Sequence, residues 1–141
     1  MIELINRQRA RKINAKRWRE FAEQALQTID STKQSVTIVF VSDAAIKKLN
    51  QQFRGKNYAT DVLSFPTKSE DFETDNQSHL GEIVISVERA AAQAKENGLT
   101  FSNEVEQLIL HGLLHLSGYD HEADNGEMNR LELKLRKKLG I

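Results

Sequence analysis

Strand-like and helix-like stretches alternate along this chain, and their order constrains the fold more than any other feature. IELI near the start, SVTIVFVS (35–42), DVLSF (61–65) and GEIVIS (81–86) are rich in the β-branched and apolar residues that favour strands. Amphipathic stretches fill the two gaps between the first three strands, and three more follow the fourth. Because a helical crossover returns the chain in the same direction, we expect the first three strands to be parallel and the fourth, reached through a long hairpin, to be antiparallel.

The second amphipathic stretch, DAAIKKLNQQFR, shows how the helices are identified. Ser42 precedes it as an N-cap, and Gly55 follows it as the residue that ends a helix. Ile46, Leu49 and Phe53 fall on one side of this helix and form an apolar stripe that should face the core.

The three remaining helices of the second half have comparable boundary signals. Ser86 is predicted to cap the third helix, and Ser102 to begin the fourth, which Gly118 ends. Asp124 and Glu127 resemble a capping box at the start of the fifth. A chain of 141 residues has room for one core. The sequence therefore predicts a single α+β domain over residues 1–141, a four-stranded mixed sheet with three parallel strands and one antiparallel, and about five helices packed on it.

Composition limits the chemistry and the surroundings. There is no cysteine, so any metal ion would need nitrogen or oxygen ligands. The 20 basic and 20 acidic side chains cancel, which is unlike a dedicated nucleic-acid-binding domain. Residues 7–19 nevertheless hold seven basic side chains and no acid, which we interpret as a solvated face, with a phosphate-facing surface as the alternative. No stretch looks like a signal peptide or a membrane span, so we expect a cytoplasmic protein.

Three of the four histidines lie within HGLLHLSGYDH (111–121). His111 and His115 are four residues apart, so on a helix their imidazoles stand on one face, close enough to share a metal ion. Gly118 can adopt the left-handed conformation that ends a helix, and the chain beyond it can bring His121 to the same ion. Three imidazoles and one open position are typical of a catalytic zinc site, because structural sites close with four protein ligands.

The histidine spacing also matches the metalloprotease pattern H-E-x-x-H-x-x-G-x-x-H, except at one position. Gly112 stands where the protease has the glutamate that acts as general base. A glycine inside a helix costs about 1 kcal/mol relative to alanine, so packing or substrate access must offset that cost. The simplest expectation is room beside the metal for a bulky substrate group. An alternative without a metal, histidines bonded to backbone carbonyls on an apolar helix, is disfavoured by the third histidine.

Two further stretches agree with the histidine segment, and the first of them is also long and specific. These are FRGKNYATDVLSFP (53–66) and LGEIVIS (80–86). In all three the chain resembles the YbeY family of bacterial rRNA maturation factors, which are metal-dependent endoribonucleases that act on single strands. At Glu82 the family more often has aspartate, which leaves the role of that carboxylate open.

The resemblance implies that His111, His115 and His121 bind one zinc ion per chain and that Arg54 is the catalytic cation facing the RNA phosphate. It implies 3′-end maturation of small-subunit 16S rRNA and a part in ribosome quality control. The implied partners are ribosomal RNA, the small ribosomal subunit and ribosomal proteins or assembly factors, with neither a membrane nor DNA. A metal with a fixed guanidinium suits the negative charge that develops during phosphodiester hydrolysis.

Some roles stay open on the sequence. Metal-bound hydroxide, Glu82 or a water chain could each be the general base. Asp120 is a candidate acceptor for the second N–H of a metal-bound imidazole. Without the resemblance, Arg54 would be interpreted as an exposed charge at a helix end. A metal-dependent peptidase and a ribosome-assembly module that binds without cleaving are the two alternative functions, and the ion could be nickel rather than zinc.

Overall fold

The computed structural model describes residues 1–29, 34–67, 79–118 and 126–141. Within these ranges the chain forms the predicted α+β fold, a mixed sheet with five helices. The elements are β1 (Ile2–Asn6), α1 (Ala15–Thr28), β2 (Ser35–Val41), α2 (Asp43–Arg54), β3 (Val62–Pro66), β4 (His79–Ser86), α3 (Val87–Asn97), α4 (Phe101–Leu116) and α5 (Glu127–Leu139). Among the described helices, none combines the length and the apolar composition needed to cross a membrane.

The four strands lie in the order β1-β2-β4-β3. The pairs β1/β2 and β2/β4 are parallel, and β3/β4 is antiparallel. The predicted count of three parallel strands and one antiparallel strand is thus confirmed. The antiparallel strand is β3, however, whereas the sequence had suggested β4. The reason lies in burial. All residues of β4 from Gly81 to Ser86 except Glu82 are buried, and such a strand belongs in the middle of a sheet, whereas β3 ends in a proline that an edge tolerates.

Two apolar clusters cover the two faces of the sheet. The larger lies under α1, α4 and α5 and includes Trp18, Ile83 and Leu113, all almost completely buried. The smaller lies under α2 and includes Ile46 and Val84. Because neighbouring residues of a strand point to opposite faces, Ile83 and Val84 belong to different clusters. The helix that carries the histidines is therefore on the opposite face of the sheet from α2.

The helix boundaries follow most of the predicted caps. The side chains of Ser42 and Ser86 accept hydrogen bonds from the backbone N–H three residues on, as expected of N-caps. Ser102 is not a cap, because the hydroxyl of Thr100 takes that role and α4 begins at Phe101. The capping box predicted for α5 is also wrong, because the helix begins at Glu127 and its N-cap is Gly126. Asp124, the predicted cap, lies outside the described residues.

The apolar stripe of α2 reaches the core at only one end. Ile46 is fully buried and Leu49 is partly buried, but Phe53 is 59% exposed. Phe53 lies in the last turn of α2 and packs edge-to-face on Phe65 of the edge strand β3, with 5.3 Å between ring centroids. The prediction that Phe53 belongs to the core is therefore wrong, since β3 is the outermost strand and offers the ring a neighbour on one side only.

Candidate active site

The helix α4 brings His111 and His115 together as their spacing predicts. Their Nε2 atoms are 3.1 Å apart, and both rings are partly exposed on an otherwise largely buried helix. A tetrahedral zinc ion holds nitrogen ligands at about 2.0–2.1 Å and therefore about 3.3 Å from each other. The observed separation fits two ligands of one such ion. His121, the predicted third ligand, lies outside the described residues, as does Asp120, and within the described residues no third side chain completes a metal-binding group.

A carboxylate that sequence reasoning missed holds the first of these imidazoles. Oε1 of Glu132, on α5, lies 2.8 Å from Nδ1 of His111. A buried carboxylate accepts the hydrogen bond, so the proton of His111 belongs on Nδ1 and the lone pair on Nε2, which faces His115. The same Oε1 is 3.7 Å from Nη2 of Arg136. This is the usual arrangement behind a metal-bound histidine, in which a carboxylate sets the tautomer and the ring orientation.

The signal for Glu132 was present in the sequence. It lies between Met128 and Leu135 on the buried side of α5 and is itself only 4% exposed. A charged residue in the middle of an apolar stripe is almost always paired. The identity of the partner could not be deduced, because it depends on how α5 packs against α4.

Gly112 serves packing, and the expectation that it leaves room for substrate is wrong. A Cβ atom placed on Gly112 would lie 2.8 Å from Cδ1 and 3.0 Å from both Cγ atoms of Ile83, on the central strand β4. The glycine therefore lets α4 approach the sheet closely. A glutamate side chain would start from the same crowded position, facing Ile83. The structure thus strengthens the distinction from the metalloprotease pattern.

A cleft of about 650 Å³ lies beside the histidine pair. Its walls come from the end of α2, from β3 with the residues just before it, and from α4. They consist of Phe53, Arg54, residues 60–65, His111 and His115. Arg54 is exposed at the end of α2, and it forms no ion pair with any residue that the structure describes. The predicted cation and two of the predicted ligands therefore share one cleft, although they come from helices on opposite faces of the sheet.

Glu82, one of the candidate general bases, lies on the face of the sheet opposite the histidine helix α4. Ile83 points to α4 and contacts the position of Gly112, so Glu82 beside it points the other way, toward the side of α2. It is exposed and does not line the cleft. Glu82 is therefore not among the residues that surround the histidine pair in this cleft.

A second cleft, of about 540 Å³, meets the first at Asp61, Val62 and His111. Its walls are mostly amides and carboxylates. Besides the three shared residues they include Gln93, Asn97, Glu104, Gln107, Asn129, Glu132 and Arg136. With the side-chain amide of Gln93 oriented so that its nitrogen faces the two carboxylates, this nitrogen donates to Oε1 of Glu104 at 3.2 Å and to Oδ2 of Asp61 at 3.0 Å. Burial raises the pKa of Glu104, a hydrogen bond from Asn97 opposes the rise, and the nearby Asp61 adds to it.

Known proteins resemble this chain in both sequence and fold. The family model described as endoribonuclease YbeY matches residues 3–140. A protein of Nautilia profundicola with that name is 47% identical over 110 residues, which cover 78% of this chain and 76% of the relative. Another, from Geobacter metallireducens, is 34% identical over 141 residues, covering 99% of this chain and 94% of the relative.

The fold is also similar to the solution structure of a Thermotoga maritima protein. The TM-score is 0.63 at 32% sequence identity, over 99% of this chain and 89% of the other. The match of the family model over nearly the whole chain agrees with the three sequence motifs and with the pairing of His111 and His115. On these grounds the chain belongs to the YbeY endoribonuclease family.

Proposed function

We propose that this protein is a zinc-dependent endoribonuclease that cleaves single-stranded RNA, acting in the cytoplasm on the 3′ end of small-subunit 16S rRNA and in ribosome quality control. One observation carries the proposal: Arg54 and the pair His111 and His115 line the same cleft. The names of the relatives support cleavage of RNA at internal positions of the RNA strand. Ribosomal RNA in the small subunit, with its proteins or assembly factors, is the proposed partner.

The zinc ion would be held by His111 and His115 and by His121 from the segment after Gly118. When bound, zinc supplies a Lewis acid and lowers the pKa of water. The carboxylate of Glu132 keeps the proton of His111 on Nδ1, so that Nε2 is left as the ligand atom.

Arg54 contributes the second half of the chemistry. Attack on a phosphodiester places additional negative charge on the non-bridging oxygens in the transition state, and a planar guanidinium can donate two hydrogen bonds to them. Because Arg54 has no acidic partner among the described residues, its charge is available to the substrate. The end of the helix at Gly55, with φ of +68°, sets where the side chain leaves α2.

The decisive experiment incubates zinc-loaded protein with precursor rRNA, with isolated small subunits and with a short single-stranded RNA, free and annealed to its complement. The expected result is new 3′ ends on the precursor and cleavage of the free RNA only. His115→Ala, prepared in the same way, serves as the control for a contaminating nuclease. Cleavage that persists in this variant, or equal cleavage of the duplex, would contradict the proposal, and binding to small subunits without cleavage would favour an assembly module.

A further inference from the structure

The exposed ring of Phe53 is the feature of the cleft that the proposed chemistry does not use. It is 59% exposed at the mouth of a cleft whose other groups are mostly polar. Single exposed apolar side chains are common and need no explanation by themselves. This ring differs because it is fixed on one side by Phe65 at 5.3 Å and is followed directly by Arg54.

An aromatic ring that can stack on a base and a cation that can bind a phosphate are thus adjacent in the protein sequence. Phe53 and Arg54 both line the cleft, so an aromatic surface and a cation from consecutive residues are presented to the same occupant. Any of the four RNA bases can stack on an aromatic side chain. A base can do so only when it is not paired and stacked within an RNA helix. An arginine beside the ring can hold the phosphate of the same strand.

We propose that Phe53, held in place by Phe65, is a stacking platform for an unpaired base next to the phosphate that Arg54 binds. This rests on the proposed function, because it assigns the occupant of the cleft to single-stranded RNA. Arg54, which forms no ion pair with any described residue, gives the cleft a positive charge for the phosphate of an RNA strand, and Asp61 is the one carboxylate among the described residues that line it. The platform accounts for the preference for single strands, since a base within a duplex cannot reach the ring.

Binding tests the platform separately from cleavage. The probe is a fluorescein-labelled RNA of ten uridines, measured by anisotropy, beside a second probe in which alternate positions lack the base. Phe53→Ala should weaken binding of the first probe by about 5- to 100-fold and leave the affinity for the second nearly unchanged or much less reduced. Phe53→Trp should keep the affinity, whereas Phe53→Leu, which is apolar without an aromatic face, should not. Leu133→Ala is the matched control, because Leu133 is 55% exposed and lines neither cleft.

Three results would overturn the platform: wild-type affinity in Phe53→Ala, equal loss of affinity for both probes, or full recovery with leucine. Failure of the wild-type protein to bind the uridine probe would overturn it as well. A wild-type protein that binds this probe with the expected dependence on Phe53 but never cleaves RNA would contradict the proposed function and leave the platform standing.

Discussion

Glu132 and His111 join the last helix to the helix of the candidate metal site through a contact of 2.8 Å between Oε1 and Nδ1. The carboxylate is buried while the imidazole is partly exposed. Both residues line the second cleft, and only His111 also lines the histidine cleft. The contact makes α5 part of the candidate active site, although α5 carries no recognised motif.

Glu132→Gln should lower zinc affinity by about 10- to 100-fold while leaving the fold intact. The amide oxygen can still accept the hydrogen bond from His111, but it lacks the negative charge that makes the imidazole a better ligand. Zinc affinity is measured by competition with a chelator, and folding by circular dichroism. Glu96→Gln is the matched control, because Glu96 is exposed on α3 and should leave zinc affinity unchanged. Equal zinc affinity in both variants would show that Glu132 does not act through His111.

The purified protein should contain about one zinc ion per chain, and His115→Ala should remove most of it. The Nε2 atom of His115 lies 3.1 Å from that of His111, so its loss removes one of the two proposed ligands that lie within the described residues. Elemental analysis provides the measurement. The control is His79→Gln, since the Nδ1 of His79 lies 2.8 Å from the hydroxyl of Ser35 and the ring does not line the histidine cleft. Wild-type protein without tightly bound metal would contradict the site.

Gly112→Ala should lower the free energy of unfolding by about 1–2 kcal/mol, because overpacking outweighs the gain in helix propensity. The added Cβ would meet three carbon atoms of Ile83 at 2.8–3.0 Å. Ile83→Val removes Cδ1, the nearest of them, so in the double variant the cost of the alanine should shrink. Urea denaturation of the wild type, both single variants and the double variant completes the cycle. Strictly additive losses would show that the contact is not the source of the strain.

Local signals account for what the sequence predicted correctly. The caps at Ser42 and Ser86 and the pairing of His111 with His115 depend on residues three or four positions apart. Such spacing is sufficient because helix geometry converts it directly into contact. The family resemblance added Arg54, whose place beside the histidines no local pattern contains.

Apart from the caps predicted at Ser102 and Asp124, which are local, the errors concern contacts between distant segments. Placing β3 at the edge required knowing that β4 pairs with β2, and the exposure of Phe53 follows from that edge position. The purpose of Gly112 depends on Ile83, and the tautomer of His111 depends on Glu132, each from another element. These relationships arise only once the sheet order and the helix packing are known, so spacing within one segment could not reveal them.

Glu104→Gln should stabilise the protein at neutral pH, and the gain should fade as the pH is lowered. Burial raises the pKa of Glu104 above its ordinary value of 4.5, so the folded state holds this proton more tightly than the unfolded state. The raised pKa of Glu104 therefore contributes to the stability of the folded state below pH 4.5, and this contribution is lost as the pH rises through the raised pKa. Glutamine resembles the protonated form at every pH. Urea denaturation between pH 4 and pH 8, beside Glu96→Gln, measures the difference, and a gain independent of pH would contradict the assignment.

Arg54→Ala should reduce RNA cleavage by about 100-fold or more while keeping the metal and the fold. The side chain is exposed at the end of α2 and forms no ion pair with any residue that the structure describes, so the variant should keep its fold. Arg54→Lys should recover little, because an ammonium group cannot donate the paired hydrogen bonds of a guanidinium.

Lys48→Ala is the matched control. Lys48 is an exposed cation on the same helix that does not line the cleft, so this variant removes an equal charge without changing the cleft. Cleavage rates, zinc content and thermal melting are compared for the four proteins. Near-wild-type cleavage by Arg54→Ala would contradict the phosphate role, as would an equal loss in Lys48→Ala, which would point to overall charge rather than to a placed guanidinium.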